Sequence, residues 1–139
     1  NPCRLRSAGS SPAEGTKVYM VKQITTSQFK ELSFKEHDYL IDVRSPEEWK
    51  AFGKPDGEAF GLTTYFISYQ LKENKKVILN PKFRDDMNRL ELNKNSQIFF
   101  ICSSGIRSQI VAEIFKKKLE TFNITDGFDG WLLHNLPVK

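Results

Sequence analysis

The sequence predicts an α/β fold, a central parallel sheet with helices on both faces. Three observations lead there. Short apolar runs such as Tyr39-Leu40-Ile41-Asp42-Val43 and Ile98-Phe99-Phe100-Ile101 have the length of buried strands. Segments with helix-start chemistry or helical apolar spacing lie between them. Strands and helices that alternate in this way are joined by crossovers, which connect parallel neighbours.

In chain order, residues 17–24 carry Val18, Met20 and Ile24 and read as a short strand with its exit. Thr25 or Thr26 caps a helix over 27–32. Residues 39–43 form a buried strand. Ser45-Pro46-Glu47-Glu48 follows, with serine at the N-cap, proline at the first helical position and acids in the first turn. A short helix therefore runs to about Phe52. Residues 53–61 hold three Gly and one Pro and form a loop, with a short strand near Ala59-Phe60. The Lys/Asn-rich connection from Phe60 to Pro81 is long. Asn80-Pro81 is a second cap signal and opens a helix with Phe83, Met87 and Leu90 at helical spacing. Residues 97–101 are the central strand. Residues 108–119 form a helix whose stripe buries Ile110, Val111, Ile114, Phe115 and Leu119. Residues 122–125 are a short strand and 127–130 a turn. Trp131-Leu132-Leu133 begins a terminal helix that stops near Pro137.

The 139 residues suit one domain, assigned to residues 20–139. Residues 1–19 read as a tail, disordered or appended to the natural chain. The tail is rich in Ser, Ala, Gly, Pro and Arg, lacks the apolar core of a secretory signal, and precedes Met20. The net charge of +4 favours solubility. Lys116-Lys117-Lys118 falls at a predicted helix C-terminus, where cations suit the dipole, so no nucleic-acid partner is expected. No apolar run is long enough to span a membrane. Of two cysteines, Cys3 lies in the polar tail, so no structural disulfide is expected. One free thiol fits a reducing, cytoplasmic compartment. His37 and His134 have no companion ligands at metal spacing, and no glycine pattern for a dinucleotide or phosphate loop occurs. Neither a metal nor an organic cofactor is expected.

Cys102-Ser103-Ser104-Gly105-Ile106-Arg107-Ser108 carries the chemistry. It lies between the central strand and the following helix. Successive N–H groups in such a loop can face one anion, and the helix dipole adds to them. Cysteines at helix N-termini and beside cations ionise more readily, and the thiolate is the nucleophile. Arg107 supplies a permanent cation with a planar fork suited to an oxyanion. Gly105 permits a sharp backbone turn. Asp42-Val43-Arg44 follows another strand end, and ligands of open α/β sheets bind outside the carboxyl ends of strands. The two edges should converge.

Four segments together resemble the single-domain rhodanese family of sulfurtransferases. Asp42-Val43-Arg44-Ser45-Pro46-Glu47-Glu48-Trp49 looks like its D-V-R-x-x-x-E-[WFY] segment. Residues 102–108 look like its C-x-x-G-x-R-S loop. Gly127-Phe128-Asp129-Gly130-Trp131 is similar to its G-[GF]-x-x-x-W region, shifted by one residue. Leu136-Pro137-Val138 resembles its L-P-V ending. The likeness covers residues 24–138. There are three departures, of which the long connection from Phe60 to Pro81 is one. Residues 53–59 lack the His of the family's G-H-I-P-G-A stretch, and Ser103 stands where many relatives have Arg or Gln.

The resemblance implies a rhodanese-like fold and a two-step transfer of sulfane sulfur. Cys102 takes the outer sulfur of thiosulfate or a persulfide, and a thiophilic acceptor such as cyanide or a thiol removes it. N–H groups of Ser103, Ser104, Gly105, Ile106, Arg107 and Ser108 would hold the persulfide anion, with the Ser104 and Ser108 hydroxyls as further donors. Arg107 would position loop or substrate. Asp42 and Arg44 would brace the loop, with Arg44 paired to Glu47 or Glu48. The expected partners are a small sulfur donor and acceptor, or a protein persulfide partner, acting on a monomer. A non-enzymatic persulfide carrier or docking module is the alternative. A phosphatase or arsenate reductase ranks lower. Only four residues separate Cys102 from Arg107, whereas fold-sharing enzymes of that kind have five. One residue extends a chain by up to ~3.5 Å, enough to widen the loop for an oxyanion.

Overall fold

Five strands form one parallel sheet. β1 (Lys22–Ile24), β2 (Tyr39–Asp42), β3 (Thr63–Phe66), β6 (Gln97–Ile101) and β7 (Glu120–Ile124) stand in the order β1-β7-β6-β2-β3. The computed structural model describes residues 20–139; the expected tail over 1–19 and the start of the first strand lie outside the described residues. The helices are α1 (Thr26–Phe29), α2 (Pro46–Phe52), α3 (Phe83–Arg89), α4 (Ile106–Phe115) and α5 (Gly127–Leu133).

Side-chain alternation along the strands splits the core into two layers. Leu40 of β2 and Phe99 and Ile101 of β6 pack with Phe29 of α1 and with Phe128 and Trp131 of α5. Ile41, Ile98 and Phe100 pack on the other face with Phe83 and Met87 of α3 and Val111 and Ala112 of α4. Both faces are thus covered, as the sequence predicts. Phe99 touches the rings of Phe29, Phe34 and Phe122, with centroids 4.4–5.4 Å apart. Phe→Ala at such a site costs about 3–5 kcal/mol.

Local chemistry explains α2 closely. Ser45 accepts from the Glu48 N–H, the Glu48 carboxylate accepts from the Ser45 N–H, and Pro46 fills the first helical position. Thr25 and Gln28 make the same reciprocal cap on α1, which is only four residues long rather than reaching Leu32.

Elsewhere tertiary context displaces the expected boundaries. Residues 57–60 form a 3-10 turn (Gly57–Phe60) and not a strand. It is tied down when Glu58 accepts from the N–H and hydroxyl of Thr64. The long connection contains β3 and an antiparallel hairpin, β4 (Gln70–Glu73) with β5 (Lys76–Leu79). Asn74 and Lys75 turn the hairpin with φ of 52° and 65°. Asn80 does not cap the helix at Pro81. Its Oδ1 accepts from the Lys82 N–H, and α3 begins at Phe83. The segment 127–130, expected as a turn, is the first turn of α5. On α4 the expected stripe is wrong in part: Val111 and Ala112 are buried, but Ile110 and Ile114 are exposed.

Pairing of Asp42 with Ile101 aligns the carboxyl ends of β2 and β6. The Val43 N–H donates to the Ile101 carbonyl at 2.9 Å and carries the alignment one step past the strands. The loop after Ile101 and the segment after Asp42 therefore emerge side by side, as expected.

Candidate active site

Cys102 leaves β6 at the head of a loop that turns into α4. Gly105 is the turning point, with φ of +91°. A Cβ there would also sit 2.3 Å from the Thr125 carbonyl oxygen, so only glycine fits. The turn folds the chain back over the sulfur. The Gly105 N–H donates to Cys102 Sγ at 3.1 Å and the Ser108 N–H at 3.3 Å. Ser108 Oγ lies 3.2 Å from the same sulfur. Cys102 itself is 1% exposed.

The loop is held from behind by α5. The Phe128 N–H donates to the Cys102 carbonyl at 2.7 Å, and the Asp129 N–H to the Ser103 carbonyl at 3.1 Å. Those two bonds fix the carbonyls of Cys102 and Ser103 towards α5. Gly127 permits the approach: a Cβ there would lie 2.5 Å from both carbonyl oxygens. Asn123 and Gly127 shape the loop through contacts that their places in the sequence do not announce, although Gly127 opens the segment that resembles the G-[GF]-x-x-x-W region. The signals were a glycine at the head of an apolar helix and a polar residue inside the run Phe122-Asn123-Ile124.

Asn123 organises the hydroxyl beside the sulfur. Its Nδ2 donates to the Gly105 carbonyl at 3.2 Å and to Gln23 Oε1 at 3.0 Å. That turns Oδ1 towards Ser108, whose hydroxyl donates to it at 2.6 Å. A serine hydroxyl has one proton. With that proton on Asn123, Ser108 Oγ accepts from a neutral Cys102 thiol. To donate to a thiolate, the hydroxyl must turn away from Asn123.

Arg107 does not point at open solvent. Its Nη1 and Nη2 donate to the two Glu48 carboxylate oxygens at 2.7 and 2.9 Å, and Nη2 also donates to Ser103 Oγ at 3.1 Å. This bidentate pair links α2 to α4 across the loop. The Arg107 hydrogen bond holds the Glu48 carboxyl at about 2, against an ordinary 4.5. The same bond pushes the Arg107 guanidinium up.

The expected pairing of Arg44 with Glu47 or Glu48 is not made. Arg44 folds back on Asp42, with Nε and Nη2 reaching the carboxylate at 2.8–3.1 Å, and Nη2 also donates to the Gly53 carbonyl at 2.8 Å. Both side chains are buried, and the guanidinium lies 4.0 Å over the Phe128 ring. The reason is geometric: Glu48 is already committed to Arg107 and to its own helix cap. Asp42 and Arg44 thus tie β2, the end of α2 and α5 together behind the loop. Ser104 and Ile106 are exposed on its outer rim.

No group of three or more potential metal-ligating side chains occurs among the described residues. Nor is any helix among them long and apolar enough to cross a membrane.

The site is thus a cysteine loop at the carboxyl edge of a parallel α/β sheet, closed over the sulfur by backbone N–H groups. The chain belongs to the rhodanese-like domain family, whose sequence profile matches residues 25–134. It is 33% identical over 122 residues to an uncharacterized protein of Rickettsia prowazekii, covering 81% of this chain and 92% of that protein. A counterpart from Rickettsia conorii is 32% identical over the same shares. Among solved structures, a rhodanese-like domain protein from Staphylococcus aureus superposes with a TM-score of 0.60 at 25% identity, covering 86% of this chain and 99% of that one. Rv0390 from M. tuberculosis shares the fold, with a TM-score of 0.68 at 24% identity over 88% of this chain and 98% of that one.

Proposed function

We propose that the chain is a sulfurtransferase that carries sulfane sulfur on Cys102. One observation carries the reading: the Gly105 and Ser108 N–H groups converge on Sγ at 3.1 and 3.3 Å, at the N-terminus of α4. Fixed donors at that place stabilise negative charge as it develops on sulfur. The Cys102 thiolate attacks the outer sulfur of a persulfide or thiosulfate. The new Sγ–S bond forms as the donor's S–S bond breaks, and a thiolate or sulfite leaves with the bonding pair. An acceptor nucleophile then attacks the outer sulfur of the Cys102 persulfide, takes it, and returns Cys102 as thiolate. The loop residues Ser103, Ser104, Gly105, Ile106, Arg107 and Ser108 enclose the sulfur; Asp42 and Arg44 hold the loop in place. The reaction needs a reduced thiol, which suits a reducing, cytoplasmic compartment, and no step requires a metal or organic cofactor.

A second reading is a persulfide carrier fed by a protein. It is favoured by the state of the two arginines. Arg107 is bound to Glu48 and Arg44 to Asp42, so neither guanidinium is free to clamp a dianion such as thiosulfate. The same pairing, with the short loop, argues against phosphate or arsenate chemistry.

Steady-state transfer to cyanide tests both readings. Thiosulfate and glutathione persulfide are compared as donors, with thiocyanate as readout. Turnover with either donor, lost in Cys102→Ser, supports the sulfurtransferase; preference for glutathione persulfide supports the occupied-arginine argument. Release of phosphate from an aryl phosphate, dependent on Cys102 and without thiocyanate formation, overturns the proposal.

A further inference from the structure

The helix that begins at the active loop is apolar on two faces. Val111 and Ala112 face the core. On the solvent side, Ile106, Ile110 and Ile114 are 69%, 42% and 37% exposed. Their i, i+4, i+8 spacing aligns them on one ridge, about 12 Å long at 1.5 Å per residue. An exposed run of isoleucines on one helix costs solubility and contributes nothing to the core, which marks such patches as contact surfaces.

The two ends of the ridge differ in chemistry. One end is Ile106, next to Gly105 in the loop over Cys102. The other is Ile114, in the wall of an open groove of about 710 Å³ between α3 and the end of α4. Arg84, Lys94, Lys117 and Lys118 also line that groove, against a single carboxylate, Glu91. No carboxylate among the described residues lies within 4.0 Å of any of the four cations. Lys116, by contrast, is paired with Glu113. Lysines beyond the last turn satisfy the helix dipole only in part, so Lys117 and Lys118 keep charge that faces the groove.

We propose that this face docks an acidic, amphipathic segment of a partner protein, the one that gives sulfur to Cys102 or takes it. The inference rests on the sulfur-transfer reading above. Apolar residues at helical spacing on the partner would cover the isoleucine ridge, and flanking carboxylates would meet the groove's cations. A second copy of this chain fits poorly, because it would bring the same four cations and a net charge of +4 to a cationic groove. Docking along the ridge leads directly to the loop. A persulfide carried by the partner would pass its outer sulfur to Cys102, and the partner would leave as a thiolate.

The probe is a synthetic peptide with Leu at i, i+3, i+4 and i+7, flanking Glu residues and one terminal Cys. A control peptide has Lys in place of Glu. Binding is read by fluorescence anisotropy of labelled peptides in which the Cys is replaced by Ser. Transfer is read as sulfur loading from the persulfidated peptides and, separately, from glutathione persulfide. The protein is compared with Ile110→Ser/Ile114→Ser and with Lys117→Glu/Lys118→Glu; both pairs are exposed, and circular dichroism checks their folding. The Glu peptide should bind at least about tenfold tighter than the Lys peptide. Each double substitution should weaken it and slow its transfer by about tenfold, with glutathione persulfide transfer unchanged. Equal binding of the two peptides, or binding indifferent to both double substitutions, overturns the proposal. A wild-type dimer that Ile110→Ser/Ile114→Ser dissociates in size-exclusion also overturns it, because the ridge then serves a second copy. Selective peptide binding with no sulfur loading from any donor would uphold the docking face and sink the transfer reading.

Discussion

Replacing Glu48 by glutamine removes the charge that holds Arg107 across the active loop while keeping an oxygen for the α2 cap. The Glu48 carboxyl is held at about 2 instead of 4.5, chiefly by the Arg107 hydrogen bond. At 1.36 kcal/mol per pH unit this difference corresponds to about 3 kcal/mol, an upper figure for a pair that retains some solvent contact. The side chains of Arg107 and Glu48 are 20% and 23% exposed, which brings the expected loss for Glu48→Gln at pH 7 to about 2 kcal/mol. The sign with pH follows from the direction. A carboxyl whose value falls on folding stabilises the native state fully above about 4.5, and that contribution is lost as pH drops through about 2. Between pH 7 and pH 4 the gap between wild type and Glu48→Gln should shrink by up to about 1 kcal/mol. Urea denaturation of both proteins at pH 7, 5 and 4 measures it. A gap that is negligible at pH 7, or one that widens on acidification, refutes the claim that the ion pair secures the loop.

Arg44→Met should cost about 3–5 kcal/mol, because it leaves the buried Asp42 carboxylate without its cation. Urea denaturation should show much of that loss recovered in Asp42→Asn/Arg44→Met, where no charge is stranded. Gly105→Ala should cost at least about 2 kcal/mol, since φ is +91° and the new Cβ meets the Thr125 carbonyl. Its thermal midpoint and its sulfur loading should fall together. Asn123→Ala should cost about 1–3 kcal/mol by removing the buried acceptor of the Ser108 hydroxyl and the donor to the Gly105 carbonyl. A thermal midpoint equal to wild type would contradict that network.

What was legible in the sequence was local. Ser45, Pro46 and Glu48 specify the start of α2 by themselves, and a glycine three residues after Cys102 signals the turn that closes over the sulfur. The apolar runs of β2 and β6 located the carboxyl edge where the two segments meet. The failures have physical causes of another kind. Helix α4 carries apolar residues on two faces, so its spacing does not say which isoleucines face solvent. The hairpin hides in a Lys-rich run, its turn made by Asn74-Lys75 rather than by a glycine pair. Arg44 turns away from the nearby glutamates because the Gly53 carbonyl, nine residues on, and Phe128, far along the chain, complete its site. Asn123 and Gly127 act on the loop only once β7 and α5 are packed beside it, a contact that the motif holding Gly127 does not itself reveal.

Whether Cys102 carries sulfur is read from the intact mass of the reduced protein after treatment with a persulfide donor and, separately, with thiosulfate. An adduct of about 32 Da, a single sulfur, should appear on the wild-type protein. Peptide mapping should place it on Cys102 and not Cys3, Cys102→Ser should lack it there, and cyanide should remove it. An unmodified Cys102 with both donors, in a protein that is folded and reduced, would contradict the account.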